Sequence, residues 1–263
     1  MARIKSTNFY QKSGKVANEV FSNLGNGVVG CRAQNSKQAP LNAEQKINAS
    51  GFSALNAEVR YLNPVLHVTF PRDTNGIKWA NRFTSVNKKR EGVLTTTKIN
   101  PDTPVDPKKK ANEEYTSEID WTKVLFAAGP LLVPSVTVSK ANLNLEQIIA
   151  EKTRLRSRVT PLADAETPAV TAEEGEMYSI TFTQEATVYE GAYCWTNDRV
   201  YGVIYSPEDH FALVQQLRDR GENGVTTIVV PSFVKPENIH VYSLAMTADG
   251  KITSNSIHST LGA

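Results

Sequence analysis

Long apolar runs, cysteine and histidine are all scarce in this chain, and each scarcity removes a class of function. No stretch approaches the roughly 20 apolar residues that span a bilayer, and the basic start Met1-Ala2-Arg3-Ile4-Lys5 has no apolar stretch behind it. Membrane insertion and export by a standard signal are therefore not expected. Two cysteines, Cys31 and Cys194, are too few for a disulfide framework and stand at no metal-ligand spacing, so both are read as small buried hydrophobes. The four histidines, His67, His210, His240 and His258, adjoin no nucleophile or carboxylate in a recognised motif. His240 and His258 alternate with apolar residues in predicted strands, and neither metal binding nor general-base work is expected of them. Ser13-Gly14-Lys15 has the end of a phosphate-loop signature but lacks the upstream glycine and the leading strand, so nucleotide binding there is rejected. No catalytic residue, no metal and no cofactor is expected.

The chain does have enough apolar mass for a core: 40% of its 263 residues are hydrophobic, sufficient for one domain with an appendage or for two domains. Its net charge of +2 hides a division. Residues 1–110 carry 18 Lys and Arg against 7 Asp and Glu, a surplus of +11, whereas residues 111–263 carry 11 against 20, a surplus of −9. Such a dipole along the sequence suits a nucleic-acid arm, and equally suits head-to-tail packing of identical copies, basic end on acidic end.

Residues 8–33 combine Val16, Val20, Phe21, Val28 and Val29 with Gly25, Gly27 and Gly30, the composition of a β-hairpin or extended arm. Asn42 followed by Gln45 has capping-box spacing, and Phe52, Leu55, Val59, Leu62 and Leu66 form one helical stripe that Pro64 is expected to bend or end. A second helix is predicted over about 76–87, burying Ile77, Ala80, Phe83 and Trp79. From about Asn87 to Asn112, Lys88-Lys89-Arg90, Pro101, Pro104, Pro107 and Lys108-Lys109-Lys110 read as a loop or linker between two units.

Beyond it, strands are predicted around Val124-Leu125-Phe126, Val136-Thr137-Val138, 178–182, 199–205, 225–230 and 240–244, with Asp249-Gly250 turning into 251–257. About seven short strands at this spacing indicate an antiparallel sandwich of immunoglobulin or fibronectin type. From Asn142 to about Val159 an amphipathic helix with a basic last turn is expected as an insertion, followed by an acidic loop over 161–175. The expected fold is thus α+β: a basic arm and helical unit over 1–111, then an acidic immunoglobulin-like sandwich over 112–263, inserted at about 142–175.

The pattern Ser13-Gly14-Lys15-Val16-Ala17-Asn18, Arg32 after a glycine-rich hairpin, and Gln45 followed by Phe52 resemble an uncharacterised domain family of gut bacteria and gut phages. Asp198-Arg199-Val200, Tyr205-Ser206-Pro207, His240-Val241-Tyr242 and the hairpin from Ala248-Asp249-Gly250 to Ser254 carry the same resemblance through the C-terminal part. It implies a helical N-terminal part and an immunoglobulin-like C-terminal part, with relatives among the neck and tail ring proteins of crAss-like phage virions. It supplies no catalytic residues. The stretch 142–175 looks longer than in the bacterial relatives.

Resemblance and charge together mark Lys15, Val16, Arg32, Phe52, Lys88, Lys89, Arg90, Arg154, Arg156 and Arg158 as candidates for assembly or partner binding. The function expected is a structural subunit of a tailed-phage virion. Its partners would be copies of itself in a ring, other neck or tail proteins and conceivably packaged DNA, with no membrane. The alternatives are a bacterial cytoplasmic or surface interaction protein and a DNA-binding protein working through the basic half. Aromatic residues are not interleaved with the basic runs, which argues against a platform for stacking single-stranded bases.

Overall fold

The computed structural model describes residues 2–5, 14–16, 19–23 and 28–33 as backbone, and 40–71, 78–142, 178–187, 189 and 193–261 with their side chains. The chain divides into two compact units, one made of residues 1–45 with 104–109 and the other of 46–103 with 110–263.

In the first unit, β1 (Ala2–Lys5), β2 (Gly14–Val16), β3 (Glu19–Asn23) and β4 (Val28–Ala33) form a four-stranded antiparallel sheet in the order β1-β4-β3-β2. The valines and glycines expected to make a hairpin thus make two hairpin-like pairings joined in one sheet, with β1 and β2 outermost. The register sets Arg32 opposite Val20 and Val20 opposite Lys15, one row across three strands.

Helix α1 (Ala43–Thr69), which lies in the second unit from Lys46 onward, begins as the spacing predicts. The Asn42 N–H donates to Gln45 Oε1 at 3.0 Å and the Gln45 N–H to Asn42 Oδ1 at 2.8 Å, so each satisfies a donor the helix start leaves open. Leu55, Leu62, Val65 and Leu66 are fully buried. Pro64 does not end the helix, which continues to Thr69: the missing N–H costs one bond, but the turn around it is anchored by the buried Leu62, Val65 and Leu66. Phe52, first in the predicted apolar stripe, points outward and is 47% exposed. The second helix, α2 (Trp79–Lys89), starts and ends later than predicted and buries Phe83, Thr84 and Asn87. Asn87 is its tie to the chain beyond, donating to Phe83 O at 3.1 Å and Leu125 O at 2.8 Å and accepting from the Leu125 N–H at 2.7 Å.

The segment expected to be a linker contains a strand. β5 (Leu94–Lys98) pairs antiparallel with β6 (Tyr115–Ile119), reached through the one-turn α3 (Ala111–Glu114). Three consecutive threonines make 94–98 strand-prone, and Leu94 packs against the main core. Val124-Leu125-Phe126, expected as a strand, is instead buried irregular chain after a 3-10 turn at Trp121–Lys123.

The remaining strands are β7 (Ser135–Asn142), β8 (Tyr178–Glu185), β9 (Arg199–Ser206), β10 (Phe211–Asp219), β11 (Gly224–Val230), β12 (His240–Met246) and β13 (Ile257–Ser259). They form two antiparallel sheets, β11-β8-β7 and β10-β9-β12-β13. Lettered in chain order from A, these are A-B-E and C′-C-F-G, the strand order of a fibronectin-type sandwich, so the protein is an α+β fold whose C-terminal part is a β-sandwich. β10 was not anticipated. β7 runs through Asn142, so no helix begins there; the helix and acidic loop expected over 142–175 otherwise lie outside the described residues.

The middle sheet is covered on both faces. Val203 and Tyr205 of β9 and Tyr242 and Leu244 of β12 join α1, α2 and Phe126 in one core, while Ile204 and Val241 join Ile180 and Phe182 of β8 in a second. This is why β9 and β12 read as continuous apolar runs instead of alternating ones. A Cβ on Gly202 would stand 2.7 Å from Phe182 Cε1, so glycine there lets the two sheets close on each other.

One core shared by α1, α2 and the sandwich also explains why the chain does not divide after Ala111. The helices bury their apolar faces on the sheet, and the separate unit is residues 1–45 with 104–109. Residues 253–256 are sewn onto 126–131: the Phe126 N–H donates to Ser256 Oγ at 2.8 Å, the Leu131 N–H to Thr253 O at 3.2 Å, and the Ser256 N–H to Ala127 O at 3.1 Å.

Candidate partner-binding groove

Helices α1 and α2 enclose a groove of about 570 Å³ lined by Asn48 and Phe52 from α1 and by Asn81, Thr84, Ser85, Lys88 and Lys89 from α2. The lining follows from helical spacing. Positions 48 and 52 are four apart, and 81, 85 and 88 are four and three apart, so each set lies on one face. The same α2 turns bury Phe83 and Asn87 on the other side, which fixes how the lining face is turned.

Among its lining residues the groove has no reactive pair. Lys88 Nζ lies 5.9 Å from the centroid of the Phe52 ring, within cation–π range. Thr84 donates its hydroxyl back to Ala80 O at 3.0 Å and is spent inside α2. No carboxylate is among the lining residues, so the two ammonium groups give the groove a positive potential. Lys88 and Lys89 also complement the negative end of the α2 dipole, a structural role any cation in that last turn would fill.

Of the ten sequence-predicted candidates, the structure brings Phe52, Lys88 and Lys89 together, and Arg90, exposed at the end of α2, adjoins them. Lys15 and Val16 lie in β2 and Arg32 in β4, in the separate N-terminal unit. Arg154, Arg156 and Arg158 lie outside the described residues. The aromatic that the basic run lacks in sequence is supplied by a different helix. Asn48, Asn81 and Ser85 were missed, and periodicity alone carried a signal for them as the polar faces of the two helices.

The other titratable clusters are structural. His240 and His258, on neighbouring strands, approach to 3.3 Å between Nδ1 and Nε2, beside Trp121 and Tyr242. Burial first, and the His258 ring second, bring His240 down to about 4, against an opposing pull from Asp120. His258 is lowered too, by burial. The Tyr205 hydroxyl donates to Glu58 Oε2 at 2.5 Å, and burial together with that bond raises it well above the usual tyrosine range.

Among the described residues two ion pairs are buried, Lys46 with Glu114 at 2.5 Å and Arg220 with Asp198 at 3.1 Å. The second holds a loop: Arg220 Nη2 donates to Leu132 O at 2.6 Å, and Asp198 Oδ2 accepts the Trp195 N–H at 3.0 Å. Cys194 is buried and donates to Thr187 O at 3.2 Å. Among the described residues no three His, Cys, Asp or Glu side chains stand close enough to hold a metal ion, and no helix is long and apolar enough to cross a membrane.

No family model, no curated protein and no solved structure matches the chain.

Proposed function

We propose that the chain is a non-enzymatic structural subunit of a tailed-phage virion, joining copies of itself into a ring of the neck or tail. The observation that carries the assembly reading is the separate four-stranded unit at the N-terminus. Its outer strands β1 and β2 are each paired on one side only among the described residues, and an edge strand with unpaired backbone groups is a template for strand addition by a neighbour. The +11 surplus of residues 1–110 against the −9 surplus of 111–263 favours contact between the basic part of one copy and the acidic part of the next. The virion setting rests on the resemblance of 13–18, 32 and 45–52, and of the C-terminal hairpin, to ring proteins of crAss-like phages.

Deleting residues 1–33 tests it. Among the described residues the core of α1, α2 and the sandwich is built from Leu55 onward, so circular dichroism is expected to keep its β signal, while light scattering after size exclusion shows oligomers of the full chain reduced to monomer. Unchanged oligomer mass, or a full-length protein that is monomeric at every concentration, overturns the reading.

A further inference from the structure

We propose that the α1–α2 groove is a binding site for single-stranded nucleic acid, taking one base against Phe52 and the flanking phosphates on Lys88 and Lys89. The argument rests on the coincidence of three chemistries in one cavity. The first is an exposed aromatic face. Phe52 occupies a position whose neighbours along the stripe, Leu55 and Leu62, are fully buried, yet it leaves 47% of its surface to solvent at the groove wall. An aromatic ring so placed offers a π-face to any base, and such stacking is tolerant of sequence.

The second chemistry is charge. Lys88 and Lys89 line the groove, Lys88 beside the ring itself, with no carboxylate in the lining to neutralise them. Arg90 extends the positive surface past the end of α2. The third is a carboxamide, Asn81 on α2. It carries both donor and acceptor, the complement of a base edge, whereas a carboxylate partner needs donors alone. The volume of 570 Å³ falls within the range of about 300–1,000 Å³ of sites that hold a molecule the size of a nucleotide. An acidic segment of a second copy would be served by the lysines but would leave the ring and the Asn81 amide unused. The inference is independent of ring assembly, because the groove lies wholly within the second unit.

The test is fluorescence anisotropy of a labelled twelve-residue oligothymidine with the full chain at 50 mM salt, alongside Phe52→Ala, Phe52→Trp and the double variant Lys88→Gln/Lys89→Gln. All three positions are exposed, and size exclusion confirms that each variant keeps the parent's oligomeric state. The wild type binds. Phe52→Ala weakens binding about tenfold and Phe52→Trp restores it, in line with the loss of one base–aromatic stack. The lysine double variant reduces the slope of log affinity against log salt by about 1.4, the value for two phosphate contacts on a single strand. Absence of binding at 50 mM salt overturns the proposal, as does equal binding by Phe52→Ala. Polyglutamate competing as well as oligothymidine also overturns it, in favour of an acidic protein segment.

Discussion

Acidification will loosen the sandwich edge before the neighbouring Asp120 titrates, and His240 sets the size of the effect. In the folded protein the ring is held at about 4 by burial and by the neighbouring His258, whereas in the unfolded chain it returns to about 6.5. A group whose folded value is depressed leaves the unfolded state binding more protons in the interval between the two values, so stability falls as pH is lowered through it. Between pH 7 and pH 5 that difference alone integrates to about 2 kcal/mol, and water reaching the half-buried ring brings it to roughly 1 kcal/mol. His258 adds a smaller contribution of the same sign, while Asp120 pulls both rings the other way. Above about pH 8 both rings are neutral in either state, and the contribution is flat.

The assay is urea unfolding followed by tryptophan fluorescence at pH 7, 6 and 5, on wild type, His240→Gln and the double variant His240→Gln/His258→Gln. The interval stops at pH 5 because Asp120 and Asp249 are held below the usual carboxylate range and stay ionised. Wild type loses about 1 kcal/mol more than the double variant across the interval, with His240→Gln between them. A double variant with the full wild-type slope would refute the reasoning, since the titration would then belong to other groups.

Two further outcomes follow from the buried polar contacts. Asn87→Ala leaves both the N–H and the carbonyl of Leu125 without their partner, so urea unfolding should show a loss of about 2–3 kcal/mol with the m-value unchanged. Arg220→Met strands the Asp198 carboxylate in the interior and should cost about 3–5 kcal/mol, whereas Asp198→Asn/Arg220→Met, which keeps an acceptor for the Trp195 N–H, should recover much of that loss in a thermal melt.

What the sequence discloses of this fold is its local part. The Asn42–Gln45 cap, the stripe at 55, 62 and 66, and the turn at Asp249-Gly250 depend on neighbours a few residues away and appear as expected, whereas the strand expected over 251–257 begins only at Ile257. The boundary after Ala111 does not appear, because proline and lysine content describes a segment's composition and not whose core the helices before it will cover. β10 escaped because its apolar half, Phe211-Ala212-Leu213-Val214, is a short unbroken run followed by the polar Gln215, Gln216, Arg218 and Asp219, without the alternation that marks a strand. The groove was half legible. Its lysines stand out as a charge run, but their aromatic partner comes from another helix and carries the same letter as any core phenylalanine.

The seam between 126–131 and 253–256 orders events in time. More than a hundred residues are synthesised between Phe126 and its partner Ser256, so the Phe126 and Leu131 amides have no acceptor until residues 253–256 have been made. Helices α1 and α2 can form early, from local bonds, but the sheet that covers their apolar faces is not complete until the same late residues arrive. During that interval Leu55, Leu62, Leu66 and Phe83 face solvent or a chaperone. Folding of this chain is therefore gated by its slowest long-range closure, and a chain that stalls before residue 253 exposes an adhesive surface in place of a finished core.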